Sequence, residues 1–142
     1  MRQLEETYAG SGLVRLEYKH FPFIGQESIR AAEASECALE QGQFWPYHDT
    51  LYLNQRGENA GAFGDDALLA FAAALGLDEV AFEECLDSGL YENQVNSEWA
   101  TASERGVTTT PTTAINGQVI TGAVSFERLQ AIIESELARL SG

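Results

Sequence analysis

From Leu13 to His20 the chain alternates, with Val14, Leu16 and Tyr18 on one side and Arg15, Glu17 and Lys19 on the other. Successive side chains leave a strand in opposite directions, so a period of two predicts a strand half-buried in a sheet. Phe21-Pro22-Phe23 ends it, because Pro22 cannot donate to a ladder and restricts the residue before it. The period then lengthens. Ser28 offers an N-cap to a helix running to about Gln41, whose Ala31, Ala32, Ala34 and Ala38 favour helix and let a neighbour approach closely. Gly42 stops it. A short helix follows with Phe44, Tyr47, Leu51 and Tyr52, and Pro46 is tolerated there in the first turn.

Asn54 to Gly64 has no period and reads as a surface loop. Asp65 or Asp66 is the expected cap of the next helix, in which Leu68, Leu69, Ala72 and Leu75 recur at helical spacing. Gly76 closes that helix, and Asp78 caps a shorter one bearing Phe82, Cys85 and Leu86. A further pattern from about Tyr91 to Glu104 sets Val95, Trp99 and Ala102 on one side, up to Gly106.

The tail changes character. Thr108 to Ile115 and Gln118 to Thr121 favour strand and flank Asn116-Gly117, the dipeptide suited to a type I′ turn in which both central residues take positive φ. Ser125 starts a last helix with the apolar stripe Phe126, Leu129, Ile133, Leu137 and Leu140. The predicted order is strand, four or five helices, hairpin, helix. Neither the helices nor a two-piece sheet can bury its apolar face alone, so a helical block packed on a small mixed sheet is expected.

Charge and cysteine content narrow the chemistry. Eight basic against 22 acidic residues give a formal charge of -14 over 142 residues, which repels nucleic acid and anionic surfaces. No apolar run has the length of a membrane span, and nothing resembles a signal peptide. Read literally, the chain stays in the cytoplasm. Cys37 and Cys85 lie far apart in helical patterns, without the spacing of a redox pair or a zinc site; two buried thiols, a bridge or a redox pair remain open. No metal or cofactor is expected.

Beyond these patterns, Val14-Arg15-Leu16-Glu17-Tyr18-Lys19-His20-Phe21-Pro22-Phe23 resembles the strand after the active-site helix in DsbA-like thiol:disulfide oxidoreductases of the thioredoxin-like superfamily. Glu36-Cys37-Ala38, Gln41 to His48, Leu75 to Asp78 and Phe82 to Leu86 are similar to that family's inserted helical subdomain. Gly106 to Thr112 and Ile115-Asn116-Gly117 resemble its cis-proline loop and hairpin. The resemblance implies an α/β, thioredoxin-like, DsbA-type fold in one domain over residues 1–142, with a helical insertion at about 26–105.

It also implies an absence. The family places a strand and then Cys-x-x-Cys at a helix start, where free N–H groups stabilise the thiolate. Here that helix survives as its tail, about Arg2 to Tyr8, and no cysteine precedes Cys37. The chain therefore reads as N-terminally truncated, with the central strand missing and no catalytic residue. Such a chain is expected to pair the Val14 strand directly with the hairpin, to borrow a strand from another copy as a homo-oligomer or strand-swapped dimer, or to be marginally stable.

Thr110 and Pro111 are the substrate-binding residues the resemblance implies, with a cis bond that presents backbone groups to an extended peptide. The resemblance to secreted proteins favours a structural disulfide between Cys37 and Cys85. If the missing region were present, the partners would be cysteine-containing secreted polypeptides whose disulfides are oxidised or isomerised, and the location periplasmic or extracytoplasmic. The alternative is a non-catalytic peptide-binding or scaffold module completed by another chain. His20 and His48 are expected in packing or surface roles, His20 being the better functional candidate at a strand end. Trp45 and Trp99 are expected in core packing, with Trp45 the better candidate for a groove rim.

Overall fold

Residues 2–142 are described in the computed structural model. Helix α1 (Arg2–Tyr8) runs into a 3-10 turn, Ala9–Ser11, and an irregular stretch leads to α2 (Gln26–Glu40). Then come α3 (Phe44–Leu53), α4 (Asp65–Ala74), α5 (Glu79–Ser88) and α6 (Glu92–Glu104). The hairpin β1 (Thr112–Ile115) and β2 (Gln118–Thr121) precedes α7 (Phe126–Ser141). The chain forms two compact units, one of residues His20–Ala102 and the other of the residues up to Lys19 together with Ser103–Gly142.

The His20–Ala102 unit is helical and well filled. Helix α2 is its centre: Ala31, Ala34, Cys37 and Ala38 are buried against Tyr47 of α3, Leu68 and Ala72 of α4, and Phe82, Cys85 and Leu86 of α5. The small side chains of α2 are what let three helices close on it. Tyr47 is fully buried, and its hydroxyl donates to the Leu68 carbonyl at 2.9 Å, so the one polar atom of a large core ring is satisfied. Burial pushes that phenol well above its usual range.

Two caps differ from the sequence expectation. Helix α2 begins at Gln26 with Gly25 as cap, so Ser28 lies inside the first turn and its backbone N–H bonds to the Gly25 carbonyl. Gly25 is required by crowding: a Cβ there would come within 2.5 Å of the Asn59 side chain, which itself donates to the Ile24 carbonyl. Likewise Gly64 precedes α4, leaving Asp65 and Asp66 in the first turn, where their charge opposes the positive end of the helix. Asp65 instead serves Arg30, which reaches both its carboxylate oxygens at 2.8 and 3.0 Å. Asp78 and Ser125 cap α5 and α7 through side-chain oxygens, as their positions predict.

The second unit is smaller in its core. Leu4 and Tyr8 of α1 meet Ile133 of α7, with Val14, Ile115, Phe126, Leu129 and Leu137 packed around them. The hairpin pairs Thr112 with Thr121 and Ile115 with Gln118, and both turn residues have positive φ, Asn116 at 47° and Gly117 at 89°. Strand β1 starts only at Thr112, not at Thr108, since Pro111 has no N–H to give to a ladder.

The predicted strand from Leu13 to His20 does not form. The only sheet among the described residues is the two-stranded hairpin, so direct pairing of the Val14 segment with it is absent. The alternation itself is present: Val14, Leu16 and Tyr18 are half-buried while Arg15, Glu17 and Lys19 are exposed. A strand needs a neighbour to bond to, and side-chain alternation alone does not supply one. The result is a chain that is mostly helical.

Candidate functional site

The loop entering β1 is built from backbone. The Thr110–Pro111 peptide is cis, and both residues are exposed. The loop is tied down on either side: Gly122 N–H donates to the Pro111 carbonyl at 2.8 Å, and the Thr112 hydroxyl donates to the Thr109 carbonyl at 2.7 Å. These bonds fix the loop to the open end of the hairpin and leave Thr110 facing solvent.

The two cysteine sulfurs of the chain are in the other unit, joined to each other. Cys37 of α2 and Cys85 of α5 form a disulfide with a Cα–Cα separation of 5.9 Å, inside the range a bridge requires. Cys37 is 1% and Cys85 8% exposed, within the core of Tyr47, Leu68 and Phe82. No free thiol remains among the described residues. Thiol exchange starts with a thiolate in contact with its target, and a bridge sealed in an apolar core offers none.

His20 is buried rather than held at an open strand end. Its Nε2 lies 2.7 Å from Glu36 Oε1 of α2, and its backbone N–H donates to Glu98 Oε2 of α6 at 2.9 Å. Its ring and that of Phe44 meet in a T-shaped contact with centroids 6.3 Å apart. Together these contacts seat the start of the helical unit on α2 and α6. His48 is placed differently, sandwiched on α3 between Trp45 at 5.3 Å and Tyr52 at 4.6 Å, with Nδ1 3.2 Å from Asp49. Trp45 also packs edge-on to Phe44. Trp99 is half-buried on α6 beside the fully buried Val95.

Sequence reasoning passed over Arg30, the hub of the helical unit. Besides Asp65, its guanidinium donates to Glu33 at 3.0 Å and to the Leu86 carbonyl at 2.6 Å. The hydrogen bonds to Asp65 hold the arginine firmly in its charged form, and the arginine holds the Asp65 carboxyl below its ordinary range. Tyr91, whose hydroxyl donates to Glu40 at 2.7 Å, is pushed up to about 12 by burial and by that carboxylate. A charged residue set among alanines was the available signal for Glu33 and Glu36; what they bond to lies far along the chain.

A helical block, then a hairpin entered through a cis X–Pro peptide, then a C-terminal amphipathic helix define a protein of the thioredoxin-like fold. The thioredoxin family model matches residues 1–135, and the chain belongs to that family in its DsbA-like branch, the family of thiol:disulfide oxidoreductases. It is 28% identical over 141 residues to a probable disulfide bond formation protein D of Bacillus cereus, covering 96% of this chain and 64% of that protein. It is 33% identical over 122 residues to a Na(+)/H(+) antiporter NhaA of Herminiimonas arsenicoxydans, covering 86% of this chain and 19% of the antiporter.

Among solved structures, the thiol-disulfide exchange protein alpha-DsbA2 from Wolbachia pipientis superposes with a TM-score of 0.70 at 22% identity, over 82% of this chain and 62% of that one. A thioredoxin-like oxidoreductase from Silicibacter pomeroyi gives 0.69 at 22% identity, over 89% and 74%. The chain thus spans less than two thirds of the length of the curated relatives named here.

Proposed function

We propose that these residues form the structural and peptide-facing part of a DsbA-like thiol:disulfide oxidoreductase, and that they do not perform the exchange by themselves. The observation that carries this reading is the Cys37–Cys85 bridge, which occupies both cysteine sulfurs of the sequence inside a closed core. The redox pair has to come from other residues. In a longer form bearing a strand and Cys-x-x-Cys, a substrate thiolate would attack one sulfur of the oxidised pair to give a mixed disulfide. A second substrate thiolate would then displace that sulfur, leaving the substrate oxidised and the pair reduced. The exposed Thr110–Pro111 loop would hold an extended segment of a secreted, cysteine-containing polypeptide.

A buried structural bridge also supports work in an oxidising, extracytoplasmic compartment, since cytosolic thiols are kept reduced. The second reading is a non-catalytic peptide-binding or scaffold module completed by another chain, through a homo-oligomer or a swapped strand. The two-stranded sheet favours it, since Val14, Leu16 and Tyr18 alternate as in a strand without joining it.

A refolding assay on a reduced, cysteine-containing polypeptide tests the central statement. The 142-residue chain is expected to leave the rate of disulfide formation at its uncatalysed value. Catalysis that is lost on Cys37→Ala or Cys85→Ala, with the variant shown to be folded by circular dichroism, would overturn it.

A further inference from the structure

Helices α2, α5 and α6 leave a polar cavity of about 560 Å³ between them, wholly inside the His20–Ala102 unit. Ile29, Arg30 and Glu33 line it from α2, Asp87 from the end of α5, and Glu92 and Asn96 from α6. The basic residue among them is already engaged. Arg30 bonds through Nε and Nη2 to Asp65 and through Nη1 to Glu33 and the Leu86 carbonyl, and Asp87 lies 3.7 Å from Nη2. With every nitrogen committed, the guanidinium has little to offer an anion. Three carboxylates share the cavity with it, and α5 ends there at Ser88 and Gly89, where the negative end of the helix dipole adds to the attraction for positive charge.

Glu33 is the telling residue. Its side chain is 8% exposed, and it accepts one hydrogen bond, from Arg30 to Oε2 at 3.0 Å. Nothing among the described residues donates to Oε1. That oxygen is not sealed off, since no sealed side-chain oxygen of the described residues lacks a partner; it is reached from the cavity that Glu33 lines. A carboxylate withdrawn this far from water with an unused acceptor is costly, and a donor entering the cavity would recover that cost. Asn96, half-buried on the α6 wall, has a side-chain amide that bonds to nothing else among the described residues.

We infer that this cavity binds a primary alkylammonium group, borne by a small aliphatic diamine or by a lysine side chain. The ammonium sits on Glu33 Oε1 and the Asn96 carbonyl, and its methylene chain lies along Ile29. An ammonium brings three N–H donors and no acceptor, which matches acceptors that lack donors. A metal ion does not suit the site, because no three His, Cys, Asp or Glu side chains converge among the described residues. Asp87 and Glu92 are exposed at the rim, where a second ammonium of a diamine would meet them. This inference is independent of the oxidoreductase reading, and its test reads binding rather than thiol exchange.

Titration of the intact, oxidised 142-residue chain with cadaverine, followed by backbone amide chemical shifts, is expected to give saturable changes confined to Gln26–Glu33 and Asp87–Asn96. Glu33→Gln is expected to weaken binding by about tenfold or more. Glu92→Gln, at a carboxylate with no ion-pair partner among the described residues, keeps the Arg30 contacts and is expected to weaken it by about threefold. Glu84→Gln removes the same charge from an exposed position of α5 outside the cavity and is expected to leave binding unchanged. Nα-acetyl-lysine amide separates the two sources: affinity equal to that of cadaverine assigns the cavity to a lysine side chain, and affinity about tenfold lower assigns it to a free diamine. Shifts that spread over the acidic surface without saturating overturn the inference. So does an equal loss in Glu84→Gln and Glu33→Gln, or displacement of cadaverine by magnesium at constant ionic strength.

Discussion

The two units of this molecule solve the same problem with different means. In the helical unit seven buried residues close around four of α2, a disulfide joins α2 to α5, and Arg30 links α2, α4 and the end of α5. In the other unit the buried cluster is only Leu4, Tyr8 and Ile133, and among the described residues the Val14 segment pairs with no strand. One is built around a central helix and a disulfide, while the other carries the Thr110–Pro111 loop on a two-stranded sheet. The helical unit thus carries the covalent cross-link and the larger core, while the hairpin and its two helices rest on a smaller cluster. The exposed cis Thr110–Pro111 loop and the buried disulfide therefore lie in different units.

The largest effect expected concerns the bridge. Removing it by reduction, or by the double change Cys37→Ala and Cys85→Ala, frees a loop of 48 residues in the unfolded chain, a loss of about 4 kcal/mol on chain-entropy grounds. Trp45 and Trp99 both lie in the helical unit, so urea unfolding followed by tryptophan fluorescence reads that loss directly. An unchanged midpoint would mean that the core is held without the bridge.

Next comes Ile133→Ala, which removes the most buried contact of α7 in the smaller core and is expected to cost about 3 kcal/mol. Its signature is unequal: circular dichroism should report loss of structure before the tryptophan signal moves. Coincident transitions would show that the two units unfold as one.

The smallest effect is electrostatic. Asp65 is held below its ordinary range by Arg30, and Glu136 by Arg139 and Asn116. For a carboxylate whose folded pKa is depressed, the unfolded chain binds the proton first. The contribution is therefore complete above the unfolded value of about 4 and disappears as pH falls through the lower folded value. Both groups are largely solvated, so the effect is modest. Acid titration of wild type against Asp65→Asn should give curves that converge below pH 4; curves that stay parallel would remove Arg30–Asp65 from the account.

What could be seen in the sequence follows the range of the interactions. The Asn116-Gly117 turn, the Asp78 and Ser125 caps and the stripe of α7 depend on neighbours within a few residues, and each is where its pattern puts it. The caps at Ser28 and Asp65 were misplaced because two glycines, Gly25 and Gly64, take the boundary positions, Gly25 through a close approach to Asn59 more than thirty residues away. The strand at Val14 was read correctly as a pattern and wrongly as an element, since a ladder is a property of two segments. Arg30 with Asp65, and His20 with Glu36, join positions that no local period relates. Of the site, the exposed Thr110–Pro111 loop was legible because proline marks its own position; the fate of the two cysteines required their distance in space.

Native-state amide hydrogen exchange on the intact, oxidised chain tests the contrast between the units most directly. The account predicts that Ala31–Ala38 of α2, Leu68–Ala72 of α4 and Phe82–Leu86 of α5 exchange only through the largest openings. The hairpin from Thr112 to Thr121 should exchange at least about tenfold faster, and the Val14–Glu17 amides at nearly unprotected rates. Equal protection of the hairpin and α2, or strong protection of Val14–Glu17, would contradict it.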